Sequence, residues 1–65
     1  MFDGAFLADL RLRKGWSQQT LADKLDISVR QVSRWETSES EPGAENVRQI
    51  ARIFRVQIND FYDKK

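Results

Sequence analysis

The chain has 65 residues, a formal net charge of +1, 40% hydrophobic residues, and neither cysteine nor histidine. A single domain of this length buries only about 60% of its unfolded surface. Without cysteine or histidine it is not braced by disulfides or the usual zinc sites, and thiol or imidazole catalysis is excluded.

In chain order, Asp3 is placed to cap a first helix running to about Lys14, with Gly15 as its left-handed stop. Leu7 and Leu10 start its apolar stripe. Phe6 and Leu12 fall off that stripe and are expected to be partly exposed or covered by a partner. Arg11 is adjacent to the stripe, which sets its guanidinium near the core.

The stretch 18–37 reads as two short helices broken at Leu25-Asp26-Ile27. Ser17 caps the first of the pair, with Gln18 and Gln19 in a first turn whose free backbone N–H groups favour an anion. Asp26 occupies a turn position that normally wants glycine, because one residue there takes φ > 0. Ser28 caps the second, about 28–37, and Gln31 three residues on completes a capping box. Leu21, Leu25, Ile27, Val32 and Trp35 fall where such a pair buries them, and Ala22 where the two helices cross. Val29, Arg30, Ser33 and Arg34 remain as an outward, polar-basic face, which suits insertion into a DNA major groove.

Residues 38–43 read as an acidic loop. A further helix spans about 44–54, with Val47, Ile50, Ala51 and Phe54 on one face and Arg48, Arg52 and Arg55 solvated. A short fifth helix, 58–62, adds Ile58 and Phe61 to the core. The expected fold is therefore all-α: one domain over 1–65, a compact five-helix bundle whose helix-turn-helix covers about 17–37.

The charge is unevenly spread. From Arg11 to Arg34 six basic residues stand against Asp23 and Asp26, +4; Glu36, Glu39, Glu41 and Glu45 then follow with no base, −4. The segment from Arg48 to Lys65 carries five bases against Asp60 and Asp63, +3, so the near-neutral total hides a positive front half. No apolar run approaches the ~20 residues of a membrane span, and no signal peptide is read at the N-terminus. A cytoplasmic, nucleoid-associated protein is expected.

The chain resembles the helix-turn-helix DNA-binding domains of the phage repressor and Cro group, the xenobiotic-response-element family. The residues that carry the likeness are Gly15-Trp16-Ser17-Gln18, Leu21-Ala22, Leu25, Ile27-Ser28, Val32-Ser33-Arg34-Trp35-Glu36, Pro42 and Ala51. It covers about Gly4 to Tyr62, in a family built of five helices. The resemblance implies that Gln18 contacts a DNA phosphate and that Ser28 caps its helix and also touches the DNA backbone. It implies that Val29, Arg30, Ser33 and Arg34 face base edges, and that Arg11 and Glu36 form a buried ion pair. Three departures stand out. Asp26 replaces the usual turn glycine. Thr37-Ser38-Glu39 stands where Asn-Gly and a basic residue are frequent, which does not support phosphate contacts from that loop. Arg55 replaces the Gly or Asn stop after the fourth helix.

An arginine fork matches guanine O6 and N7, and each good bidentate pair gives about 1–3 kcal/mol of discrimination. Arg30 and Arg34, one turn apart, point the same way; outside this frame they would be read as solvated charge. Val29 suits a thymine methyl, and Ser33 is a weak reader. Ser17, Gln18, Gln19 and Ser28 are candidates for phosphate contact that fixes register, beside their plain capping roles. Lys14 and Arg13 are candidates too, with solvated charge the alternative. Trp16 and Trp35 read as packing residues rather than base-stacking groups. No cofactor, metal or small-molecule ligand is implied, and no enzyme. The leading expectation is a sequence-specific double-stranded DNA-binding transcriptional regulator, a repressor. It would act as a homodimer joined through its C-terminal helices near Val56, Ile58 and Tyr62, with half-sites roughly 34 Å apart. The competing expectation is a protein-interaction module of the same fold, an antitoxin or adaptor, with secondary DNA binding.

Overall fold

A computed structural model describes residues 1–62; the bases Lys64 and Lys65 and the acid Asp63 of the C-terminal charge count lie outside the described residues. The elements run α1 (Gly4–Arg13), α2 (Gln18–Leu25), α3 (Val29–Glu36) and α4 (Ala44–Phe54), then a 3-10 turn, Ile58–Phe61.

Three helices start on side-chain caps. Asp3 Oδ1 accepts from the Phe6 N–H at 3.1 Å, Ser17 Oγ from Thr20 at 3.0 Å, and Ser28 Oγ from Gln31 at 3.2 Å. Each satisfies one of the backbone donors that a helix start leaves open. The Gln31 side chain does not return the bond to Ser28, as a capping box requires. Its amide turns instead toward Ser40 Oγ at 3.5 Å, so only half of that motif forms. α4 starts at Gly43 without a side-chain cap.

The four helices end alike, each followed closely by a residue at positive φ: Gly15 (74°), Asp26 (59°), Ser38 (68°) and Arg55 (59°). The next N–H then reaches back five residues: Trp16 to the Arg11 carbonyl, Ile27 to Ala22, Glu39 to Arg34 and Val56 to Ala51. That 6→1 closure satisfies a terminal carbonyl and turns the chain sharply.

Among the described residues there are four α-helices, not five. After Arg55 only Ile58–Phe61 turn, with bonds from Asp60 N–H to the Gln57 carbonyl and from Tyr62 N–H to Asn59, an i→i−3 pattern. Tyr62 is extended (φ −126°, ψ 159°) and pairs as an isolated antiparallel bridge with Phe2. The Asp3 N–H donates to the Phe61 carbonyl at 2.6 Å. The chain leaves the helical path to make this long-range pairing, so an α-helical turn has no room to form. Ile58, expected in the core, stays 41% exposed, since the single turn ends before an apolar face can build.

The core is Leu7, Leu21, Val32, Ile50 and Phe61, all fully buried, with Trp35 and Val47 beside them. Ala22 is buried at the tight α2–α3 turn, where its carbonyl takes the Ile27 N–H at 3.0 Å. α1 closes on α3 through Gly4: a Cβ there would collide with the Trp35 carbonyl oxygen and lie 2.8 Å from that of Glu36. Beside the start of α1, Phe61 stacks on Phe2 at 5.3 Å between centroids and meets Phe6 at 5.2 Å.

Candidate nucleic-acid interface

α3 has two faces of opposite character. Val32 and Trp35, three residues apart, are buried in the core. Arg30 and Arg34 are exposed, Val29 is 37% exposed, and Ser33 is half-buried at the margin. The helix is thus fixed from one side and presents two guanidinium groups, one turn apart, on the other. Its start is set by Ser28, an exposed residue whose hydroxyl holds the Gln31 N–H.

The far end of α3 is held by charge. Arg11 of α1 grips the Glu36 carboxylate with Nε at 2.7 Å from Oε2 and Nη2 at 3.1 Å from Oε1. Its Nη1 donates to the Trp16 carbonyl at 2.8 Å. The two side chains keep only 11% and 5% of their accessible surface. A fork-to-fork pair of this kind costs desolvation but fixes geometry, and removing one partner leaves an uncompensated charge.

Gln18, a phosphate candidate, joins the same network. Its amide donates to Glu36 Oε1 at 2.8 Å, which ties the first turn of α2 to the last residue of α3. The side chain is half-buried and already oriented. Ser17 and Gln19 are exposed beside it: Ser17 Oγ lies 3.0 Å from Thr20 Oγ1, and the Gln19 amide donates to Asp23 at 2.9 Å. Arg13 pairs with Asp9 at 2.9 Å on the exposed side of α1. Lys14 is exposed, with its ammonium 5.9 Å from the Trp16 ring centre.

Three contacts escape a reading of the sequence. Lys24 sits over Trp16, its ammonium 4.7 Å from the ring centre, a cation–π distance. Gln18 bonds Glu36 across 18 residues, a separation that no local pattern reveals. The acidic loop folds back on α3, bringing Glu39 Oε1 to 4.0 Å from Arg34 Nε. That return turns on Ser38, whose positive φ no glycine signals in the sequence.

A family model described as helix-turn-helix matches residues 7–61. The chain belongs to this helix-turn-helix family. It is 33% identical over 54 residues to the HTH-type transcriptional activator BcrR of Enterococcus faecalis. That match spans 83% of this chain but 26% of the relative, so the domain corresponds to about a quarter of that protein's length. Among solved structures it is similar to the P22 c2 repressor protein in complex with synthetic operator 9T. The TM-score is 0.89 over 100% of this chain and 98% of that one, at 22% identity. At that identity the likeness is one of fold: an all-helical helix-turn-helix domain.

Proposed function

We propose that this helix-turn-helix domain binds double-stranded DNA sequence-specifically as the reading module of a transcriptional regulator, with repression by occupancy of its site as the outcome. α3 lies in the major groove, and α2 crosses the backbone. Arg30 and Arg34 donate to base edges, Val29 packs on a thymine methyl, and Ser33 makes a weaker contact. Ser17, Gln18, Gln19 and Ser28 hold phosphates near the start of each helix, with Lys14 and Arg13 adding charge from the end of α1. The observation that carries the reading is the two-faced α3: two exposed arginines backed by the buried Val32 and Trp35.

The reading includes a homodimer on DNA. One copy covers about half a site, and half-sites roughly 34 Å apart would suit two copies. The exposed Ile58 and the half-buried Val56 and Tyr62 form the proposed contact surface. The setting proposed is the cytoplasm, at the nucleoid.

The test is selection of bound sequences from a random duplex pool, followed by titration across salt. A DNA reader gives a preferred sequence, and log affinity falls with log salt at about −0.9 per phosphate neutralised. Arg34→Ala should relax preference at one or two base pairs, while Gln18→Ala should weaken all sites alike. Operator selectivity left intact by Arg34→Ala would move the reading face elsewhere. Salt-independent binding to duplex would favour the antitoxin or adaptor reading.

A further inference from the structure

We propose that Glu39 is a positioning residue for base readout: it holds the Nε side of Arg34 and leaves the terminal edge of the guanidinium facing outward. The inference rests on the DNA-reading role given above to α3.

Glu39 is not a free loop carboxylate. Its own N–H donates to the Arg34 carbonyl at 2.9 Å, and the Ser40 N–H reaches the same oxygen at 3.3 Å. Ser38 makes this return possible by adopting φ 68°. The Gln31 amide reaches Ser40 Oγ at 3.5 Å, and Pro42 is buried just beyond. The loop is therefore pinned along the Gln31–Arg34 side of α3, and the Glu39 backbone has a fixed place beside Arg34.

From that place the carboxylate meets Arg34 at Nε, 4.0 Å away, with both side chains still partly exposed, 45% and 68%. At this distance the contact is an electrostatic restraint rather than a hydrogen bond. The side it engages matters. A guanidinium reads guanine best with two parallel N–H bonds to O6 and N7. A counterion on the Nε side leaves both terminal nitrogens free for that use. The same negative charge stands beside Arg34 and would repel a DNA phosphate approaching it. Glu39 thus favours the oriented base contact and opposes loose phosphate contact by Arg34.

The two effects have opposite signs, which makes them separable. The probes are the pool-selected duplex, the same duplex changed at the base pair whose preference Arg34→Ala relaxes, and a random duplex. Glu39→Gln should tighten binding to random duplex by about two- to fivefold, the scale of one exposed ion pair. It should steepen the log–log salt slope by about 0.9, one added effective phosphate contact. It should lower the preference at the Arg34-dependent base pair by about threefold or more. Glu39→Asp should retain most of that preference. Glu41→Gln, the same charge change in the same loop, should leave the preference unmoved. In an Arg34→Ala background Glu39→Gln should no longer change it, since a positioning residue acts through its partner. A preference that is unmoved by Glu39→Gln, or shifted equally by Glu41→Gln, or still shifted without Arg34, overturns the role of Glu39 alone. Failure of the unmodified chain to select any duplex overturns the DNA-reading assignment beneath it.

Discussion

α2 and α4 end on the same backbone turn, yet the chain does different things after each. Asp26 and Arg55 take nearly identical angles, φ 59° with ψ 47° and 43°. In both, the next apolar residue, Ile27 or Val56, sends its N–H five residues back at 3.0 Å and packs on the core. After Ile27 comes Ser28, whose hydroxyl starts α3. After Val56 comes Gln57, and then only a 3-10 turn. Both of these later elements dock on α1, by different chemistry: α3 through the Arg11–Glu36 fork, and the 3-10 turn through Phe61 against Phe2 and Phe6. One dock is directional and polar; the other is apolar and closes the two chain ends together. The directional dock belongs to the helix that presents Arg30 and Arg34, where a small rotation would re-aim both.

The apolar dock should show the largest effect when broken. Phe61 is fully buried and stacked, so Phe61→Ala removes a ring and leaves a cavity, at a cost of about 3–5 kcal/mol. In a 65-residue domain each kcal/mol is worth about 4–8 °C in thermal midpoint, so the midpoint of this variant should fall by about 12 °C or more. Trp35, buried in the native state, supplies the emission signal for the melt. A midpoint within a few degrees of the parent would show that the terminal closure is dispensable.

The polar dock is next. Arg11→Met leaves the Glu36 carboxylate buried without its fork and should cost about 3 kcal/mol. Arg13→Met removes an exposed i,i+4 pair with Asp9 and should cost under about 1 kcal/mol. Equal melting points for the two variants would remove the case for a buried pair. Gly4→Ala tests the backbone approach of α1 to the end of α3. Its Cβ meets the Trp35 and Glu36 carbonyls at the end of α3, so about 1–3 kcal/mol should be lost as α1 is pushed away. Unchanged stability there would mean that α1 can shift freely along α3.

Local pattern makes the helices and the two faces of α3 legible, whereas the Arg11–Glu36 dock, between residues 25 apart, is legible only through the family resemblance. The caps at Asp3, Ser17 and Ser28 and the bounds of α4 at Ala44–Phe54 are set by residues within a turn of one another. So is the opposition of Val32 and Trp35 to Arg30 and Arg34, which is read from helical spacing alone. The expectation of a fifth helix fails because its fate depends on Phe2, about sixty residues away, which draws Tyr62 into an extended bridge. At the candidate site, the places of Gln18 and Glu39 are equally hidden. Gln18 is set by a partner 18 residues on, and Glu39 by a left-handed residue that is not a glycine.

The smallest effect comes from the caps themselves, and it probes whether the two turns are alike in energy as well as in shape. A non-glycine residue in the left-handed region loses about 1–2 kcal/mol to the clash of its Cβ with the backbone, and Asp suffers less than most because its short polar side chain bonds locally. Glycine removes that strain but adds about 0.4–1 kcal/mol of backbone freedom to the unfolded chain. Arg55→Gly should therefore gain about 0.5–1 kcal/mol, while Asp26→Gly should gain less, a few tenths at most. Urea midpoints with an unchanged slope read the difference directly. Equal gains at the two positions would mean that Asp26 draws no benefit from its carboxylate. A loss at Arg55 would mean that its exposed side chain makes a contact worth more than the strain it carries.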